Sequence, residues 1–372
     1  MHYFIIAGEA SGDLHAARLI DGLRRMDPEA RFTFLGGDAM AHAAGCPPVI
    51  HYREMAFMGF SEVLRNLGKI RANMRTARRM LCECAPDCFI PVDYPSFNLK
   101  IAADAKKLGV PVYWYISPKI WAWKKWRIRD IRRLVDRMLC ILPFEPKFYE
   151  SEDYDRAIYV GNPSVGEIDA ALGAAPSREE FFRTHRLRDR RLLALLPGSR
   201  RGEIRCNLPV MDAVARRFPQ YTIAVAGAPG IEAEFYTGLT RFPVIKAATH
   251  DMLAHAHAAL VTSGTATLEA ALAGVPQVVL YRSNGSRLAY KIMRRLIHVN
   301  FISLPNLIAD KPIIPEMILH ECTEEAVAAH LANLTPDGSA ERERQKAGYH
   351  AMRAALAGAL TSAPAEILAA LK

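Results

Sequence analysis

Leu192-Leu193-Ala194-Leu195-Leu196-Pro197-Gly198-Ser199-Arg200-Arg201-Gly202-Glu203 is the stretch from which the fold can be read. Its first five residues form a short apolar run, the pattern of a strand covered on both faces. Pro197 and Gly198 break that strand. Ser199 stands where it can cap a following helix, whose free N–H groups and positive dipole end suit a phosphate. Arg200 adds a permanent cation with bidentate donors. No Gly-Lys-Ser/Thr follows, so this is not a Walker loop. Taken alone, the stretch also fits an ordinary strand-to-helix turn with a surface arginine.

Two further stretches repeat the plan. In Ala258-Ala259-Leu260-Val261-Thr262-Ser263-Gly264-Thr265-Ala266-Thr267-Leu268-Glu269, an apolar run again meets a small-residue turn and a helix start. Ser263, Gly264 and Thr265 offer N–H groups and hydroxyls at a helix N-terminus. Glu269 lies about one turn beyond Thr265, where a carboxylate can take a ribose hydroxyl pair. Near the N-terminus, Tyr3-Phe4-Ile5-Ile6-Ala7 leads into Gly8-Glu9-Ala10-Ser11-Gly12-Asp13. Three strand–Gly/Ser–helix units predict an α/β protein of two Rossmann-like domains facing a cleft, with ligands at the strand C-termini.

The 372 residues suit two domains better than one, and the 51% apolar content can fill sizeable cores. No apolar run approaches the roughly 18 residues that span a bilayer. The first apolar strand begins almost at Met1, and the expectation is a chain that stays in the cytosol or on a membrane face reached from it. Seven cysteines (Cys46, Cys82, Cys84, Cys88, Cys140, Cys206, Cys322) do not form a disulfide framework, and Cys82, Cys84 and Cys88 lack a standard zinc spacing. His250, His255 and His257 fall in a helical stretch before a strand and read as a partly exposed face, so no metal is expected.

The formal charge of +9 favours an anionic partner. It is concentrated at Lys119–Arg137, where three tryptophans stand among cations. That mixture suits a membrane–water interface or single-stranded nucleic acid, and also a solvated helix with its tryptophans packed inward. A basic helix is predicted through this stretch to about Leu134, a helix at Asn98–Leu108 ending on Gly109, and another at Leu208–Phe218. A boundary is predicted near Gly161-Asn162-Pro163. The domains are accordingly read as 1–163, 164–341 and a helical tail at 342–372 that packs back on the first domain or on a partner subunit.

With these residues in place, the chain resembles the lipid-A-disaccharide synthase family, whose architecture is GT-B. The matching segments, in the family's order, are Ala7–Asp13 (AGEASGD), Met58–Leu64 (MGFSEVL), Asp93–Asn98 (DYPSFN), Ser117–Trp123 (SPKIWAW), Leu142–Glu145 (LPFE), Leu195–Arg200 (LLPGSR), Ser263–Glu269 (SGTATLE) and Ser303–Leu307 (SLPNL). There are departures. Asn162 stands where many members have histidine, Ser96 where many have a second acid, and His15 where glycine is common. Asp93 is thus the only carboxylate of its motif.

The resemblance implies inverting transfer of 2,3-diacylglucosamine from UDP to the 6-hydroxyl of 2,3-diacylglucosamine 1-phosphate, within lipid A biosynthesis. It needs a base for the acceptor and charge stabilisation for departing UDP. Asp93 is expected as the base, with a helix cap as its plainer role, and Arg200 as the second catalytic residue. Gly8, Ser11, Gly12, Gly198, Ser199, Arg200, Ser263, Gly264, Thr265, Glu269 and Asn306 are expected to hold substrate or UDP, with no metal or cofactor. The implied partners are the UDP-sugar, the monosaccharide 1-phosphate and the inner-membrane lipid surface of a Gram-negative bacterium. Nucleic acid is not among them, and a homodimer is one assembly the tail allows. Phe57, Met58, Phe60 and Leu64, followed by the cations Lys69 to Arg79, are expected to contact the membrane, or else to be core. Another GT-B enzyme, such as a UDP-N-acetylglucosamine 2-epimerase or a peptidoglycan glycosyltransferase, shares the architecture. An RNA binder explains Lys119–Arg137 but not the ordered phosphate turns.

Overall fold

The computed structural model describes residues 1–55, 66–282 and 300–371. The chain divides into two compact units: Met1–Asn162 with Gly358–Lys372, and Pro163–Ala357.

The first unit is built on strands β1 (His2–Ala7), β2 (Arg31–Gly36), β3 (Ile50–His51), β4 (Cys88–Val92), β5 (Tyr113–Tyr115), β6 (Arg137–Cys140) and β7 (Ala157–Tyr159). They lie in the order β3-β2-β1-β4-β5-β6-β7, and every pairing is parallel. Successive strand residues point to opposite faces. Phe4, Ile6, Phe89 and Trp114 therefore enter one core, while Tyr3, Ile5, Ile90 and Val92 enter the other. Helices on both faces explain why β1 and β4 read as nearly unbroken apolar runs. β1 and β4 are neighbours, and the chain leaves them toward opposite sheet edges. A crevice at their C-terminal ends follows from that topology.

The second unit repeats the arrangement with β8 (Leu192–Leu196), β9 (Thr222–Gly227), β10 (Val244–Lys246), β11 (Ala256–Thr262), β12 (Gln277–Tyr281) and β13 (Glu316–Ile318). The order is β10-β9-β8-β11-β12-β13, again all parallel, with the switch point between β8 and β11. Both units are α/β and Rossmann-like.

Three local expectations change. Residues 342–372 are not one tail. The helix Ala340–Leu356 belongs to the second unit, where buried Gln345 bonds to both backbone groups of Gln277. Only the final helix, Ala363–Leu371, packs back on the first unit, with Arg137 paired to Glu366 at 2.7 Å and Tyr113 donating to Ala370 O at 3.1 Å. The basic helix expected through Lys119 is broken. Only Ile128–Leu134 is α-helical, preceded by turns and a short 3₁₀ segment at Lys125–Arg127. Lys124 there has φ 57°, which no α-helix permits. Finally, the helix after β8 begins at Arg201 rather than Leu208 and carries Pro209 inside it.

Candidate functional site

In the first unit, β1 delivers Gly8 and Glu9, and β4 delivers Asp93 and Tyr94. The backbone here is strained. Asp93 (φ 44°) and Tyr94 (φ 49°) are both left-handed, as are Ile116 (φ 64°) just past β5 and Lys124. Each non-glycine residue in that region costs about 1–2 kcal/mol, so the surroundings must enforce it. They do so by hydrogen bonds and packing. Asp93 N–H donates to Tyr115 O at 3.1 Å. Asn98 Nδ2, fully buried, donates to Asp93 O at 2.8 Å and to Ile6 O at 3.4 Å. Tyr94 Oη donates to Met55 O at 2.8 Å. The Tyr94 ring lies over Gly8, where a Cβ would stand 2.4 Å from Cγ.

Gly8, expected to touch substrate, is therefore a packing glycine covered by Tyr94. Gly12 is likewise buried, facing Ala7 and Val92, whereas Ser11 is exposed. Asp13 closes the same motif structurally. Its carboxylate accepts from Gly37 N at 2.6 Å, Ala39 N at 3.1 Å and Met40 N at 3.2 Å, capping the helix Asp38–Ala44.

The helix after β4 spans Pro95–Lys107. Tyr94 is its N-cap residue and makes no side-chain capping bond, and the backbone bond to the Asp93 carboxyl comes from Tyr94 itself, not from the first turn of the helix. Burial pushes the Asp93 carboxyl up to about 6, and the charge of Glu9 raises it further. Lys119, a backbone bond from Tyr94 and Arg127 act in the opposite sense. A carboxyl tuned near neutral pH, held in a strained turn at a strand C-terminus, is suited to take a proton. The motifs that contain Glu9 and Lys119, and the basic stretch that contains Arg127, do not by themselves reveal this electrostatic role.

The loop carrying Lys119 and Arg127 is anchored from below. Glu145, 1% exposed, accepts from Trp121 Nε1 and from Leu142 N–H, both at 3.1 Å. Burial raises its carboxyl to about 7. Ser117 Oγ meets Tyr149 Oη at 2.9 Å, and Trp121 packs edge-on against Phe144. Two separate sequence motifs, SPKIWAW and LPFE, are thereby joined. Asn162 Nδ2 donates to Ile141 O at 3.1 Å, a framework contact just past β7.

In the second unit, β8 ends at a turn where Gly198 has φ 112° and its missing Cβ leaves room for Glu203. Arg200, not Ser199, is the N-cap residue of the helix Arg201–Ala215. The Glu203 carboxylate reaches back to Ser199 N at 3.2 Å, Arg200 N at 3.3 Å and Arg200 Nη1 at 3.0 Å. It thus holds the N–H groups that the sequence offers to a diphosphate. After β11, Ser263 is engaged, with its N–H on Leu280 O at 3.0 Å and its Oγ on Ile302 O at 2.9 Å. Gly264 and Thr265 are exposed at the start of the helix Thr265–Leu272. Glu269 pairs with His250 at 3.4 Å, which raises the histidine's pKa.

Asn306 differs from expectation. It is 1% exposed, its Nδ2 donates to Ile314 O at 2.9 Å and Glu316 Oε1 at 2.8 Å, and its Oδ1 accepts from Ile314 N at 2.9 Å. Both ends of the amide are used, and the residue braces the Ser303–Glu316 loop instead of presenting itself to a nucleotide. Phe57, Met58, Phe60 and Leu64 lie outside the described residues. Among the described residues, no His/Cys/Asp/Glu group is arranged to hold a metal, and no helix is long and apolar enough to cross a membrane.

Solved structures share the architecture. UDP-GlcNAc 2-epimerase from Neisseria meningitidis aligns with TM-score 0.66 over 95% of this chain and 97% of its own, at 12% identity. MurG from Acinetobacter baumannii aligns with TM-score 0.56 over 100% and 99%, also at 12% identity. At that identity the likeness is one of fold. Sequence relatives go further. The lipid-A-disaccharide synthase of Myxococcus xanthus is 40% identical over 98% of this chain and 96% of its own length. That of Syntrophus aciditrophicus is 40% identical over 88% and 86%. The family model described as lipid-A-disaccharide synthetase matches residues 3–370. Full-length matches of this kind, on a scaffold of two Rossmann-like units, place the chain in the lipid-A-disaccharide synthase family of GT-B glycosyltransferases.

Proposed function

We propose that this chain carries out lipid A disaccharide synthesis with Asp93 as the general base. The enzyme joins UDP-2,3-diacylglucosamine to 2,3-diacylglucosamine 1-phosphate, giving the β-1,6-linked disaccharide 1-phosphate and UDP. The observation that carries the assignment of the base is the state of Asp93: strained, uncommitted as a cap, and raised to about 6 beside Glu9. Asp93 Oδ takes the proton of the acceptor 6-hydroxyl as its oxygen attacks the anomeric carbon of the donor. The anomeric C–O bond to UDP breaks in the same displacement, so the configuration inverts. UDP departs with the bonding pair. Arg200, together with the turns at Gly198-Ser199 and Ser263-Gly264-Thr265, takes its charge, and Glu269 takes the ribose. Glu203 yields its amides when the diphosphate arrives.

Both sugars are acylated, so the protein works at a lipid surface. Support for that reading comes from Trp123 (53% exposed) and Trp126 (66% exposed), with Lys124 stacked on the Trp123 ring at 4.0 Å. Exposed tryptophans among cations suit the headgroup region of a bilayer. The site of action is proposed as the cytoplasmic face of the inner membrane.

The test is an assay of the purified chain with UDP-2,3-diacylglucosamine and 2,3-diacylglucosamine 1-phosphate, following disaccharide and UDP. Equal amounts of both products are expected. UDP released without disaccharide, or UDP-sugar epimerised at C2, would overturn the reading.

A further inference from the structure

The segment from Ser117 to Arg127 folds as a loop, and Arg127 at its end meets the β4 turn. Arg127 is partly buried and donates from Nη2 to Ser96 Oγ at 2.7 Å, three residues beyond Asp93. Lys119 is exposed and acts electrostatically on Asp93, as Arg127 does. Three cations further along the same stretch are neutralised locally. Lys125 pairs with Glu152 at 2.6 Å, Arg132 with Asp153 at 3.1 Å and Arg133 with Asp130 at 3.2 Å. Neither Lys119 nor Arg127 has a carboxylate within ion-pair distance among the described residues. The Glu145–Trp121 and Ser117–Tyr149 bonds hold the loop that carries them.

Two cations beside a general base tend to weaken it, because they favour its ionised form. Leaving them without a carboxylate is reasonable if the substrate brings the anion. A guanidinium has five donors in a planar fork, and only one here is used on Ser96. The remaining donors, with the point charge of an ammonium, suit a phosphate monoester. We infer that Lys119 and Arg127 form the subsite for the acceptor's phosphate and so make the enzyme select a phosphorylated acceptor sugar over the same sugar without phosphate. This rests on the acceptor reading given above.

The experiment compares 2,3-diacylglucosamine 1-phosphate with its dephosphorylated counterpart as acceptors for the full chain, at saturating donor. The parent is expected to prefer the phosphorylated acceptor. Lys119→Met and Arg127→Met should each raise KM for it by about tenfold or more, as for a lost charged hydrogen bond, and shrink the preference for phosphate by the same factor. Arg127→Lys should recover part of the loss. UDP affinity measured by calorimetry on the same preparations reports folding of the second unit, and circular dichroism reports the first. If both acceptors lose equally, or if kcat falls and the acid limb of the pH profile moves while KM stays, the cations serve Asp93 and the proposal fails. If the parent itself makes no disaccharide, the transfer reading fails instead. Binding of glucosamine 1-phosphate against glucosamine, followed by NMR on parent and Arg127→Met, then still decides the subsite. Equal binding of the two sugars by the parent overturns it.

Discussion

The turns after β4 and after β8 each follow a strand that flanks the switch point of its own sheet, yet they are built by opposite means. At the first, Asp93 and Tyr94 bear the left-handed backbone themselves, with Ile116 strained nearby. At the second, the positive φ falls on Gly198, and Gly264 after β11 adopts an extended backbone. Glycine adopts such angles at little cost, and side-chain residues do not. On the proposed assignment of the two turns, the difference separates two kinds of chemistry. A group that must take a proton needs its side chain fixed at one point, and strain is accepted there. A diphosphate is bound by N–H groups and a cation, for which an unencumbered backbone is enough.

The sharpest way to break this comparison is to remove the carboxylate alone. Asp93→Asn keeps the size of the side chain and abolishes the proposed base. It should lower kcat by about 10²–10⁴-fold with little effect on UDP binding. Near-normal turnover would show that the strained turn serves packing and that the base lies elsewhere.

The second turn is tested through affinity instead of rate. Arg200→Ala should weaken UDP binding by about 1.5–3 kcal/mol, the loss of a charged contact. Glu203 adds a control of opposite sign. Its carboxylate accepts from Ser199 N and Arg200 N. Removing that charge should tighten UDP binding by a few-fold, about the worth of an exposed charge interaction. Calorimetry on Arg200→Ala and Glu203→Gln reads both. Equal affinities in all three proteins would remove this turn from the UDP site.

Much of the architecture is legible in the sequence because it rests on local patterns. β4, β8 and β12 follow from apolar runs, and their turns from Gly, Ser and Pro. What escapes depends on distant partners. Lys119–Trp126 has the composition of a basic helix, but Trp121 is drawn to Glu145, 24 residues away, and the helix does not form there. Ser199 is a better capping residue than Arg200 by type, yet Glu203 folds back and shifts the cap by one position. Asn306 looks like a ligand contact until Glu316 and Ile314 are seen to use its amide. The same holds for Glu9. As a residue in a quoted motif it has no visible role, and its importance comes only from β1 lying beside β4.

Glu9 therefore gives the smallest and most specific test of the β4 turn. It precedes the helix Ala10–Met26 as N-cap residue without a side-chain capping bond, so replacing it removes charge and little structure. Its charge adds to burial in raising Asp93, against Lys119, the Tyr94 backbone bond and Arg127. Removing the negative charge in Glu9→Gln must then lower the Asp93 pKa from about 6, because the carboxylate loses a repulsive neighbour. A base works when deprotonated, so kcat/KM rises with pH through that value and levels above it. The acid limb of Glu9→Gln should move to lower pH, by about half a unit for one partly screened charge, which is about a threefold gain at pH 5. At pH 8, where Asp93 is ionised in both proteins, the two rates should nearly coincide. A limb that stays put uncouples Glu9 from the base. A limb that moves upward means that Glu9 stabilises the Asp93 carboxylate, and the electrostatic reading of the crevice would have the wrong sign.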